Sequence, residues 1–411
     1  MRSDTNLLVG CGLLWLALAV PLPADDPLGS TKPELKAPSQ TYPVGPELQK
    51  VPLEELEAAY KDQVAPEGIR MYLAIKHGSQ MGPGEGWFGP SQSRFSWKEL
   101  SEKYQFDPEQ GWTRDKFSGE GSWFDRLDRN RTGTITAEDL DWSDRNPWVQ
   151  NATVVNRLYR KADASGNGQL TREEWLKLFD SIADSQQSIS RSQLREGWLA
   201  GMSSGFSPGD EPSQEVLIKG LFAGEIGSLQ EGPSVGEPAP DFTLRTADGE
   251  TAIHLADVLG HKPVVLCFGN FTCGPFRSLY ADVDEIAQRY KESATFVGVY
   301  VREAHPTDGW SMKSNDAAGV AVTQPKTLAE RKSVAQQCFT KLKPTFLWAV
   351  DDIDDSVGHA YSGMPARLYV IDSGGRVAYK GGRGPFGFKA GEMEQALVWT
   401  LLEHDTRKTA P

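Results

Sequence analysis

The sequence predicts an α+β chain of two lobes, an all-α amino-terminal lobe followed by an α/β sandwich. Three observations predict it. Two twelve-residue loops of oxygen-bearing side chains, 128–139 and 163–174, lie between stretches of helical apolar spacing. From 264 to 403, apolar β-branched runs alternate with helical segments and close on two adjacent strands and a last helix. Between the two regions, residues 201–234 turn rich in Gly, Ser and Pro and read as a linker.

The chain has 411 residues and a formal net charge of −13. No dense Lys/Arg run appears, and a polyanion needs a basic face, so nucleic acid is excluded as a partner. Residues 1–24 read as a secretory signal, with Arg2, an apolar core over 7–20 and small residues up to Ala24. Export to a periplasm, the cell surface or the medium is therefore expected, with membrane contact only through this segment if it stays uncleaved. Cys11 closes a lipoprotein-like box but precedes most of the apolar core, so lipidation, plain export and an uncleaved anchor all stay open. Beyond it lie Cys267, Cys273 and Cys338. An odd number is no disulfide framework and suits a free or transiently paired thiol.

Residues 25–50 read as a disordered tether and 51–200 as the helical domain. Leu53, Leu56, Ala59 and Tyr60 fall at helical spacing, and Ser96 with Glu99 forms a capping box. The aromatic residues between 72 and 123 read as core, with a carbohydrate- or lipid-binding face as the alternative. In loop 128–139, Asp128, Asn130, Thr132, Thr134 and Asp139 supply oxygen at the ligand positions of an EF-hand, and Gly133 sits at the bend. In loop 163–174 the corresponding residues are Asp163, Ser165, Asn167, Gln169 and Glu174, with Gly168 at the bend. Helices expected at 148–161 and 173–183 make this an EF-hand pair that zips through Ile135 and Leu170 and binds calcium. A lobe that has lost its metal is the plainer alternative.

From Val235 a new unit begins, 235–404, followed by a tail, 405–411. Strands are expected at 241–244, 264–269, 295–302, 345–350, 367–372 and 375–380, with helices at 275–291, 327–340 and 391–403. That order is a thioredoxin-like fold. Cys273 ends the turn after a buried strand, and Pro275 opens a helix, so the thiol is expected at a helix N-terminus that favours thiolate. His305 follows the next parallel strand and is expected at the same carboxyl edge.

Thr272-Cys273-Gly274-Pro275-Phe276 resembles a thioredoxin Cys-Gly-Pro-Cys turn with Phe276 in place of the second cysteine. Together with Glu303-Ala304-His305 and Asp308-Gly309-Trp310, it resembles the iodothyronine deiodinase family, as do Arg367-Leu368-Tyr369 and Gly381-Gly382-Arg383-Gly384 in the tail. The resemblance covers roughly 235–404 and places Cys273 where the family carries selenocysteine. It implies Cys273 as nucleophile, His305 as general acid, and Thr272, Glu303, Pro365 and Arg367 around the substrate. Pro365 resembles the cis-proline of thioredoxin-like folds, and Arg367 is expected to clamp a substrate carboxylate or phenolate. Phe271 replaces a family cysteine, and Pro325 stands where some members carry a histidine.

The resemblance implies a thiol-dependent oxidoreductase that removes iodine from an iodinated phenol or similar aryl small molecule. An external thiol reductant or a thioredoxin-like protein would close the cycle, with Cys338 or Cys267 as possible internal resolving thiols; Cys267 reads more readily as core. Two alternatives stay open: a thiol peroxidase or general thiol oxidoreductase on the same cysteine, and a calcium-binding module with an idle redoxin scaffold.

Overall fold

The continuous apolar run Val264-Val265-Leu266-Cys267-Phe268-Gly269 can be satisfied only as a strand covered on both faces, and it lies at the centre of the molecule. The computed structural model describes residues 42–63, 65–79, 91–165, 168–183, 187–199, 210, 212–384 and 386–409. Among these are ten strands: β1 (Gln92–Ser93), β2 (Trp112–Thr113), β3 (Thr134–Ile135), β4 (Thr243–Thr246), β5 (Ala252–His254), β6 (Val264–Gly269), β7 (Thr295–Tyr300), β8 (Leu347–Val350), β9 (Arg367–Ile371) and β10 (Val377–Lys380). Eight form one sheet in the order β1-β10-β9-β6-β7-β8-β4-β5. β6 runs parallel to β7 and antiparallel to β9, with Phe268 opposite Val299 on one side and Arg367 on the other.

Helix Gly274–Tyr290 connects β6 to β7, and helix Leu328–Leu342 connects β7 to β8. The antiparallel β9–β10 pair and helix Ala390–Thr409 complete a thioredoxin-like α/β arrangement, as the alternation of elements predicts. The first strand of this unit is Thr243–Thr246, not 241–244, because Asp241 caps the turn at Ala256 and binds His254. The last helix runs to Thr409 and absorbs most of the expected tail.

The independent helical domain expected over 51–200 is corrected. Lys36–Pro411 form one compact unit, and residues 92–140 share the core of the sheet. β1 joins the sheet edge beside β10, and Trp112 stacks on Trp399 of the last helix at 6.2 Å between ring centroids. The physical reason is area: a stretch with Phe95, Phe106, Trp112, Trp123 and Phe124 buries more apolar surface against a long helix than within itself. Of the tryptophans and tyrosines between 72 and 123, Trp112 and Trp123 lie in this core with Trp97 and Tyr104 packed partly buried against it, Tyr72 lies in a second core, and Trp87 is outside the described residues.

A second core joins Leu48, Leu56, Tyr60, Ile69, Tyr72 and Ile75 to Leu217, Leu221, Ile226 and Trp310. Two boundaries are corrected by it. Residues 42–50 of the expected tether are folded, with helix Pro46–Lys50 and Leu48 buried; the expected linker contains helix Gln214–Phe222. The signal segment lies outside the described residues. No described helix is long and apolar enough to cross a membrane.

The loop regions also depart from expectation. Gly133 (φ +84°) and Gly168 (φ +75°) adopt the left-handed backbone that position six of such a loop requires. The two loops do not zip together, however: Ile135 pairs with Trp112 across β2–β3, and Leu170 lies outside any strand. Ile135 is drawn to the aromatic core around Trp112, while the helices expected at 148–161 and 173–183 are present as Pro147–Ala162 and Arg172–Ile182.

If residues 92–140 share the core, Trp112→Ala will cost about 3–5 kcal/mol and shift a single cooperative transition. Urea unfolding followed by far-UV circular dichroism and tryptophan fluorescence checks this; two separated transitions would show an independent lobe.

Candidate active site

Three chain segments converge at the carboxyl edge of the parallel strands: the turn after β6, the loop after β7 and the loop before β9. The fully buried Asn270 ties them together. Its Oδ1 accepts from the backbone N–H of Cys273 (3.0 Å) and Ala304 (3.3 Å), while its Nδ2 donates to the Pro365 carbonyl (2.9 Å). Pro365 follows a cis peptide bond, as expected. The structure therefore brings together Cys273, Thr272, Glu303, His305 and Pro365.

Thr272 donates its hydroxyl (2.7 Å) and its N–H (2.8 Å) to Glu303 Oε2, and its Oγ1 accepts from the His305 N–H (3.0 Å). Tyr300 donates its hydroxyl to the other Glu303 oxygen and accepts from the Phe271 N–H. Glu303 is thus a buried scaffold for the turn, its carboxyl pushed up by burial and pulled back by these donors. It is not the salt partner of His305, and with no exposed surface it is not placed to touch substrate.

His305 Nδ1 lies 3.2 Å from the Trp310 carbonyl, and the ring stands edge-on to the Trp310 indole at 4.5 Å. A carbonyl only accepts, so Nδ1 carries the proton and Nε2 holds a lone pair in the neutral ring. Burial lowers the imidazole to about 4, against the raising effect of the Trp310 carbonyl. At neutral pH His305 is therefore a base first and an acid only after it has gained a proton, which amends the role expected from sequence.

Cys273 is the N-cap of helix Gly274–Tyr290 and is 2% exposed. The expectation of a ready thiolate is corrected: burial raises the thiol to about 11, although the Phe276 N–H and the Arg277 guanidinium pull it down. Desolvation acts on the whole charge, whereas the helix end supplies only partial charges. Phe276, in the place of a second cysteine, packs against Tyr280, Trp348 and Phe388, and its ring lies where a Cβ on Gly269 would be, 2.3 Å away. The position belongs to the core. All three described cysteines are free and buried. Cys267 lies in β6 between Gly298 and Leu368, a core residue as the preferred reading has it. Cys338, on helix Leu328–Leu342, has no exposed surface and a thiol pushed well up by burial, so neither is poised as a resolving thiol in this conformation.

Arg367 is the largest correction. Its guanidinium is 2% exposed and lies 3.1 Å from Glu67 Oε1, with Arg383 Nε 3.0 Å from the same oxygen. Burial alone would raise Glu67, but Arg383 and Arg367 bring it down to about 2. Two buried guanidiniums demand a carboxylate, and the amino-terminal helix Glu67–Lys76 supplies it from within the chain. Arg367 is therefore not open to a substrate clamp.

Two residues escaped the sequence reading, Asn270 and Arg277. The 2%-exposed Arg277 donates to the Phe271 carbonyl and to Asn315 Oδ1 (2.9 Å), and Asn315 Nδ2 in turn donates to the Thr272 carbonyl (2.8 Å). Its position one turn after a helix-opening cysteine is the one signal that could have marked it.

In the calcium-type loops the closing carboxylates are engaged by the backbone. Asp139 accepts from the N–H groups of Arg129, Asn130 and Thr136, and Glu174 from those of Ser165 and Thr171. Asp128 accepts from Thr132 and Gly133, and Asp163 from Gly168. Thr132 donates its hydroxyl to the Thr134 carbonyl, and Ser165 donates its own to Asp163. Asn167 lies outside the described residues. Among those described, no group of three or more His, Cys, Asp or Glu side chains is disposed to hold a metal ion.

A family model for iodothyronine deiodinase matches residues 216–400. Thyroxine 5-deiodinase of Gallus gallus is 33% identical over 195 residues, covering 47% of this chain and 72% of that protein. Thyroxine 5-deiodinase of Homo sapiens is 33% identical over 181 residues, covering 44% of this chain and 58% of that protein, so the chain spans less than two thirds of its length. Among solved structures, a secreted Mycobacterium tuberculosis disulfide oxidoreductase homologous to E. coli DsbE aligns with 38% of this chain and 95% of its own, at 16% identity and a TM-score of 0.29. The matched range begins at helix Gln214–Phe222, ahead of the expected boundary at 235, and leaves the two loops outside it.

The depressed imidazole of His305 sets a pH dependence. Its neutral buried form contributes stability fully above about pH 6.5, and that contribution is lost as pH falls toward about 4. His305→Phe is expected to flatten this part of the stability curve, read by urea unfolding across the window. An unchanged slope would show that the ring is not held neutral by burial.

Proposed function

This chain belongs to the iodothyronine deiodinase family, and we propose that it is a thiol-dependent reductive dehalogenase acting on an iodinated phenol or similar aryl iodide. The observation that carries the reading is the Asn270 carboxamide, which binds the N–H of the nucleophile Cys273 and of Ala304, next to His305, with one oxygen. The backbone of the Cys273 turn and of the segment that carries His305 are thereby held to one atom at the same sheet edge.

In the proposed cycle, His305 Nε2 takes the Cys273 proton. The thiolate attacks iodine, the carbon–iodine bond breaks, and the electron pair left on carbon takes the proton from imidazolium, giving Ar–H and Cys–S–I. Two equivalents of an external thiol then return Cys–SH, with a disulfide, iodide and a proton as products. Before substrate arrives both groups are neutral, and with the thiol at about 11 and the imidazole at about 4 the proton transfer is uphill in the resting site, so substrate binding must bring the two closer for this order to run. Substrate must displace neighbouring side chains to touch a sulfur that is 2% exposed.

Calcium binding by the loops 128–139 and 163–174 is part of the proposal, supported by the oxygen-bearing residues at ligand spacing and the left-handed bends at Gly133 and Gly168. Asp163, Ser165 and Glu174 would hold the ion in the second loop. Export is likewise proposed, supported by Arg2 and the apolar run over 7–20.

Cys273→Ser is expected to abolish iodide release from iodinated phenols with dithiothreitol as reductant, to below about one thousandth of the parent rate. Retained release in that variant, or peroxide consumption in place of iodide release by the parent, would refute the assignment. For the loops, Glu174→Gln should weaken calcium binding more than about tenfold, since ligand charge tunes such sites. Calorimetric titration decides it, and a parent protein that shows no calcium heat sinks the metal reading.

A further inference from the structure

Among the described residues, no carboxylate forms an ion pair with the buried cation Arg277. The fold's other deeply buried guanidiniums each have one: Arg367 and Arg383 share Glu67, and Arg331 lies 2.7 Å from Asp355. Arg277 instead donates to two neutral oxygens, the Phe271 carbonyl and Asn315 Oδ1, and its Nε is buried with no hydrogen-bond partner. An uncompensated buried charge is costly, so the site is built to receive an anion.

The side chain folds back along its own helix toward the first turn. Its Nη2 lies 3.8 Å from where a Cβ on Gly274, the residue directly after Cys273, would be. The one carboxylate close by, Glu303, spends both oxygens on Thr272 and Tyr300. We propose that Arg277 is the counter-cation of the Cys273 thiolate, a positioning residue whose carboxylate-free guanidinium holds the charge on sulfur once the proton has left. This rests on the reading of Cys273 as nucleophile.

The groups facing the pair are Glu303 and His305 from the loop after β7, Tyr300 at the end of β7, and Cys338 with the ammonium of Lys341, which acts on Arg277, from helix Leu328–Leu342. Glu303 opposes ionisation of the thiol, Tyr300 and Cys338 are held neutral by burial, and His305 is neutral above about pH 4. In the resting site Arg277 is therefore the cation that favours sulfur anion, and it acts beside the imidazolium that His305 becomes on taking the thiol proton. Once iodine has moved to sulfur that anion is gone, which leaves the guanidinium beside departing iodide when the external thiol attacks.

The test is the rate of iodoacetamide labelling against pH in the full chain, with Cys273→Ser subtracted as background. Arg277→Met removes the charge and keeps the apolar stem; Arg277→Lys keeps a charge; Arg277→Gln keeps donors without charge. The expected result is labelling at pH 8 slowed about tenfold or more in the Met and Gln variants, one unit of thiol pKa, with Lys between them and the parent. Equal rates in parent and Met variants of matched melting temperature overturn the proposal. So does a Lys variant as slow as Met and Gln, which would assign the effect to the Phe271 and Asn315 hydrogen bonds. If the Met variant fails to fold, the Gln and Lys pair decides alone. A parent without iodide release whose labelling still depends on Arg277 refutes the dehalogenase reading and leaves this pairing intact.

Discussion

One buried carboxamide holds the site together. Asn270 follows the central strand and has no access to water, so its donor and acceptor must be satisfied inside the protein. It meets that demand by joining three segments that are otherwise independent loops: the Cys273 turn, the segment before His305, and the Pro365 loop. Thr272 and Glu303 brace the same turn from the other side. Cysteine and histidine therefore share a rigid frame, and little orientational freedom is left to lose when substrate binds.

Buried charge explains much of the remaining architecture. Glu67 belongs to a helix far ahead of the sheet in sequence, yet it is the carboxylate that Arg367 and Arg383 share beside the Pro365 loop. The amino-terminal segment is thus bound to the sandwich by electrostatics as well as by the second core, which also includes Trp310. Trp310 in turn holds His305 through its carbonyl and its indole edge. The amino-terminal segment thus packs with the residue that contacts His305, although it lies outside the range matched to the family.

The calcium-type loops are built into the same body. Gln395 of the last helix donates to the Asp139 carbonyl (2.7 Å), and Gly168 packs so tightly on the helix that begins at Cys273 that a Cβ there would lie 3.2 Å from the Arg277 carbonyl. Each loop keeps its bend because the carboxylate at its first position accepts from the N–H of its glycine.

The sequence by itself determined the local structure. The strand at 264–269, the helix opened by Pro275, the capping boxes at Ser96, Thr171 and Thr327, and the order of elements through the sandwich all follow from neighbours a few residues apart. Cys273, His305 and Pro365 were legible as well, because each ends or precedes a strand at one edge of a predictable sheet. Tertiary structure alone decided the partners and the charge states. Asn270 meets Pro365 across 95 positions and Arg367 meets Glu67 across 300, and no local pattern encodes such a pairing. The helix terminus at Cys273 is visible in sequence, but the burial that outweighs it is a sum over the whole fold. Ile135, expected to meet Leu170, pairs with Trp112 in the aromatic core of the whole fold.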